Sequence, residues 1–89
     1  YVIMQPLELK NVITLHDRAF LVSTISMYVR HSFFEGDEKK VVYETMVFEI
    51  IENEVQFHKP LFNERYHIAE EAIAEHGAIL KSPKTFIPL

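Results

Sequence analysis

The run Val41-Val42-Tyr43-Glu44-Thr45-Met46-Val47-Phe48-Glu49-Ile50-Ile51 is the longest stretch rich in β-branched and aromatic residues. In an extended strand Val42, Glu44, Met46, Phe48 and Ile50 point to one side, and Val41, Tyr43, Thr45, Val47, Glu49 and Ile51 to the other. A strand with one wet face alternates apolar and polar residues. This one is apolar on both sides, which predicts a central strand over 41–51, covered above and below.

Phe20 to Arg30 predicts a second strand, over 19–31, with Leu21, Ser23, Ile25, Met27 and Val29 opposed to Phe20, Val22, Thr24, Ser26 and Tyr28. The polar stretch from His31 to Lys40, with Gly36-Asp37 in its middle, reads as the hairpin connection between the two. Upstream lies an N-terminal segment, 1–18, in which Leu7, Leu9, Ile13 and Leu15 are in step; Asn11–Leu15 reads as a short strand and His16-Asp17-Arg18 as the turn out of it. Downstream, Glu52-Asn53 is a polar break before a short strand over 54–59, which Pro60 ends because it has no N–H to pair.

A helix follows over 67–81. Ile68, Ala69, Ala72, Ile73, His76, Ile79 and Leu80 share one arc of its surface, Glu70 and Glu71 favour the positive end of its dipole, and Ser82-Pro83 stops it. The tail, 82–89, is apolar enough to dock, a partner being one surface it could use. The pattern predicts one domain, 1–89, of α+β class: a three- to four-stranded antiparallel sheet with one C-terminal helix packed on one face.

Composition narrows the function classes. The chain has 89 residues, 48% hydrophobic and 25% charged, the balance of a compact soluble domain. It has no cysteine, which excludes disulfides, thiolate catalysis and zinc–thiolate sites. A net charge of −4 argues against binding duplex nucleic acid. No apolar run reaches the roughly 20 residues that span a bilayer, and no signal-peptide pattern opens the sequence, so no membrane role is expected.

His76 lies within the apolar arc of the helix and is expected to face the interior that Glu44 faces. There an imidazole and a carboxylate would shift each other's pKa. Arg65, just before the helix, could reach the same place, either as an architectural bridge to Glu44 or as part of a polar cluster of His31, Glu44, Arg65 and His76. Such a cluster suits a small anion or nucleotide. His31, Glu44 and His76 match no metal-ligand spacing, and no metal or cofactor is expected. With one helix on one face, Tyr43, Val47 and Ile51 together with Phe20, Val22 and Tyr28 are expected on the uncovered face. An apolar patch of that kind is covered either by the N-terminal segment folding over it or by sheet-to-sheet packing in a homodimer, and the homodimer is the favoured reading.

Val22-Ser23-Thr24, His31 with Phe33, Tyr43-Glu44-Thr45-Met46-Val47-Phe48, Arg65-Tyr66, and Glu71-Ala72 with His76 resemble a family of small bacteriophage and prophage proteins with no established activity. The likeness runs from about Val22 to Leu80, and the Glu-Thr-Met-Val-Phe block is its most specific string. Arg30 stands where that family has Asp, Glu49 where it has Gly, and His67-Ile68 where it has a Ser-Thr helix start. His31, Glu44, Thr45, Arg65 and His76 match. The resemblance implies a phage protein in the cytoplasm of an infected bacterium, a non-enzymatic accessory that binds a host component in takeover or counter-defence. The alternative is a protein that sequesters a nucleotide or other anion with the polar cluster. A small enzyme is a third reading, and no substrate is named by any motif.

Overall fold

Two turns set the topology. A computed structural model of the chain describes residues 7–30 and 39–88; His31, Phe33 and the Gly36-Asp37 connection lie outside them. Strand β1 (Glu8–Leu15) meets β2 (Arg18–Arg30) through His16-Asp17, and β3 (Lys39–Ile51) meets β4 (Glu54–Val55) through Glu52-Asn53. These four turn residues have φ between 51° and 65°. Left-handed backbone at both central positions is the type I′ hairpin turn, whose twist matches that of the strands it joins. Asp17 and Asn53 hold that conformation at less cost than most side chains do.

The remaining elements are β5 (Phe62–Tyr66), α1 (Ala69–Lys81) and α2 (Pro83–Phe86). The sheet order is β1-β2-β3, with β4 and β5 both on the far side of β3 and all pairings antiparallel. The fold is α+β, with β3 central as its two apolar sides predict. Strand β1 starts at Glu8, earlier than the short strand read from Asn11.

The strand expected over 54–59 is where the sequence reading fails. Only Glu54 and Val55 pair there, and pairing resumes beyond Pro60. Glu54 stands opposite Ile51 and Phe62 opposite Val47, so the edge advances eight residues while β3 advances four, and four residues bulge out. The base of this loop is pinned by Gln56 N–H to Glu49 O (2.9 Å) and Leu61 N–H to Val47 O (2.8 Å). Pro60 therefore ends only the first half of a broken edge strand. The loop carries Phe57 back over the sheet, edge-on to Phe48 with ring centroids 5.1 Å apart.

Helix α1 covers the face of β3 that carries Tyr43, Thr45 and Val47. Phe20, Val22, Val47 and Ile79 are fully buried between helix and sheet, with Ile13, Leu15, Leu61, Phe62 and Leu80 packed around them. The assignment of Phe20, Val22 and Val47 to an uncovered interface is thus corrected: they are the core. Tyr43 is half-buried with the exposed Tyr28 diagonal to it, while Ile51 is exposed at the opposite end of this side of the sheet. The cause lies in β1, whose Leu9, Ile13 and Leu15 stand across from Thr24, Phe20 and Arg18 and add their apolar side chains to this side. Its other side presents Glu8, Lys10 and Thr14 with the exposed Val12 among them, a mostly polar rim to that face.

The helix begins at Ala69, two residues later than expected. Ile68 is extended at the cap position and, with no side-chain acceptor, supplies no cap hydrogen bond. Pro83 ends α1 but opens α2, a position where its missing N–H is no loss. The tail docks on its own domain: Ile87 is 2% exposed in the core, and Phe86 meets Phe62 edge-on at 5.7 Å.

Candidate functional site

Adjacent residues of β3 point to opposite faces, and that separates the predicted cluster. Thr45 and His76 lie under the helix; Glu44 and Arg65 lie on the open side of the sheet. His31 is outside the described residues. The expectation that His76 and Glu44 share an interior is corrected by this one-residue step.

Beneath the helix, His76 is 4% exposed and both ring nitrogens are engaged. Nε2 stands 2.8 Å from Asn11 Oδ1, and Nδ1 stands 2.7 Å from Thr24 Oγ1. Thr24 Oγ1 in turn lies 2.7 Å from Thr45 Oγ1. Burial lowers the imidazole pKa below its ordinary value, so the ring is neutral, with its proton on the nitrogen facing the Asn11 carbonyl. The donors then run one way: Thr45 hydroxyl to Thr24, Thr24 hydroxyl to His76, His76 N–H to Asn11. This chain ties α1 to β1, β2 and β3 and leaves neither nitrogen free for a metal or a substrate. Among the described residues, no three His, Asp or Glu side chains gather closely enough to hold a metal ion.

Tyr66 shares the covered face and went unnoticed as a separate polar group. Its hydroxyl is buried and has no hydrogen-bond partner among the described residues. Burial, with Glu75, Glu64 and Glu71 nearby, pushes its pKa up and keeps it a neutral phenol.

The open face is built differently. Glu44 and Arg65 are directly opposite on β3 and β5, and Arg65 Nε donates to Glu44 Oε2 at 3.0 Å. The architectural bridge is what the two residues form. The carboxylate side chain is only 10% exposed and the guanidinium 58%, so the acid sits low in the face and the base at its rim. Beside Glu44 lies a groove of about 230 Å³ walled by Leu21, Ile25, Met46, Phe48 and Phe57. Ser23 and Glu44 are its polar lining, with Lys10 at the β1 side. Phe57 is 65% exposed although it caps Phe48. Sequence reasoning missed the groove because its overhanging wall comes from the bulged loop, which no alternation marks.

Glu49, where the resemblance would place Gly, has a local partner: Arg18 Nε and Nη2 donate to its two carboxylate oxygens at 2.7 and 2.9 Å. Arg18 also stacks 5.3 Å from the centre of the Phe20 ring. No helix among the described residues is long and apolar enough to cross a membrane. Comparison with protein-family models, curated proteins and solved structures finds no match to the chain.

Proposed function

We propose that this protein acts by binding, without catalysis, and that it binds through the open face of its sheet. The observation that carries the reading is the apolar groove beside Glu44, on the face that no helix among the described residues covers. Its walls suit an apolar side chain of a protein partner, while Arg65 and Lys10 orient that partner from the rims. The resemblance to phage proteins supplies the setting: a phage accessory in a bacterial cytoplasm, with a host component as the target. The alternative, sequestration of a nucleotide by His31, Glu44, Arg65 and His76 together, loses support because His76 and Glu44 face opposite ways.

The test is photocrosslinking in bacterial cells, with benzoylphenylalanine in place of Phe57. A discrete host adduct is expected, absent when Met46→Glu is added and absent when the label replaces Ile73 on the exposed side of the helix. Folded protein that gives no host adduct from position 57, or the same adduct from position 73, would overturn the reading.

A further inference from the structure

We propose that in the free protein the open face is occupied by a second copy of the same chain, packed face to face about a two-fold axis parallel to β2 and β3. The inference rests on the open face being the working surface, and it makes self-association and host binding exclusive uses of that surface.

The charge pattern carries it. Strand register places Glu8, Ile25, Glu44 and Arg65 in one row across the face, and Lys10, Ser23, Met46 and Asn63 in the next. Acid therefore stands at one rim and base at the other rim of the same row, with Ile25 and the buried Glu44 between them. A two-fold axis along the strands sets β1 of one copy over β5 of the other without changing the level of a row. Glu8 of each copy then faces Arg65 of the other, and Lys10 faces the neutral Asn63. In the row beyond, Leu21 meets the Phe57 ring that caps Phe48, so no like charges oppose one another in these rows.

The side chains at the rims are free to make these contacts. Arg65 gives Glu44 only its Nε among the described residues, which leaves the terminal guanidinium nitrogens for a second carboxylate. Among the described residues Glu8 is held within its own copy by Lys10, at 3.3 Å, in a pair more than half exposed, and such surface pairs are weak. Packed sheets stand about 10 Å apart, a gap that an arginine and a glutamate reaching toward each other can close. The contact is isologous, so it closes on itself. A face of four strands at about 4.8 Å spacing, and about 25 Å long, offers roughly 500 Å² a side, the low end of specific interfaces.

Sedimentation velocity on the purified chain tests this. The wild type is expected to be a dimer at micromolar concentration. Glu8→Arg, which sets like charge against Arg65, is expected to weaken the dimer at least tenfold, and Met46→Glu to abolish it, while Ile73→Glu changes nothing. Mixing the Glu8→Arg chain with an Arg65→Glu chain is expected to restore a mixed dimer, one of whose two rims is native and the other reversed. If Arg65→Glu beside Glu44 does not fold, as read by circular dichroism, the Glu8→Arg and Met46→Glu results decide alone. A monomeric wild type, or a dimer indifferent to either substitution, overturns the proposal. The host reading fails separately: the label at position 57 in purified protein would still crosslink copy to copy while giving no adduct in cells.

Discussion

The two faces of β3 differ in how their polar groups are treated. On the covered face Thr45, Thr24, His76 and Asn11 pass one hydrogen bond along a chain, and both nitrogens of its buried imidazole are spent in it. On the open face Glu44 is almost as deeply placed as His76, yet among the described residues its one charged neighbour at bonding distance is an exposed arginine, and the space beside it is an apolar groove. A satisfied polar network under a helix fixes geometry. A carboxylate lining an uncovered apolar groove is a surface that awaits a counterpart. Depth alone does not tell the two apart; what surrounds the group does.

The contrast is sharpest at neighbouring positions. Val47→Glu places an unpaired charge in the fully buried core and is expected to unfold the domain, because such a charge costs several kcal/mol against a total of about 5–15. Met46→Glu, one residue away on the open face, is expected to stay folded. Circular dichroism and thermal melts of the two variants check this, and a folded Val47→Glu protein would reverse the assignment of faces.

A smaller effect is expected from Thr24→Val, which keeps the shape but breaks the chain at its middle, leaving His76 Nδ1 and the Thr45 hydroxyl without their partner. A loss of about 1–3 kcal/mol should appear in urea denaturation. Ser23→Ala, next door on the open face, should cost less than half as much.

Acid should act through His76. Its folded pKa is lowered by burial, so as pH falls below the ordinary histidine value, about 6.5, the unfolded chain takes a proton that the folded chain does not. Stability from this group is therefore unchanged above that pH and declines from there down to the folded pKa. Urea midpoints at pH 7.5 and 5.5, compared between wild type and His76→Phe, isolate the contribution. A wild type with no greater acid loss than the variant would count against a buried neutral ring.

The smallest change is expected from Tyr66→Phe. It removes a buried hydroxyl that meets no partner in good hydrogen-bonding geometry among the described residues, with Glu75 its one approaching acceptor, so the melting temperature should change by no more than a few degrees. A marked loss would reveal a bond that Tyr66 makes after all.

Most of the architecture was legible because alternation and turn chemistry are local. The strands around Phe20–Arg30 and Val41–Ile51, the turns at His16-Asp17 and Glu52-Asn53, and the end of the helix before Ser82-Pro83 all follow from short-range rules. The choice of face did not follow from β3, whose two sides are equally apolar. It was written in β1, where Leu9, Ile13 and Leu15 alternate against Glu8, Lys10 and Thr14, and that strand was read as starting too late to show it. The inward aim of His76 was legible from the helix arc, but its partners were not, since a polar chain through Thr24 and Asn11 depends on register across three strands. Resumed pairing at Phe62–Tyr66 was hidden because a looped-out stretch leaves no periodic trace.

The broken edge at β4 and β5 also limits how far copies can accumulate. A sheet with two clean edges can add strand to strand without end, which is how fibres grow. Here one edge is interrupted by the bulge and Pro60, and only β1 presents an unbroken row of eight residues. Growth through edges would stop at two chains, and so would packing through the open face about a two-fold axis. The interruption that lifts Phe57 over the groove thus also leaves β1 as the one unbroken edge among the described residues.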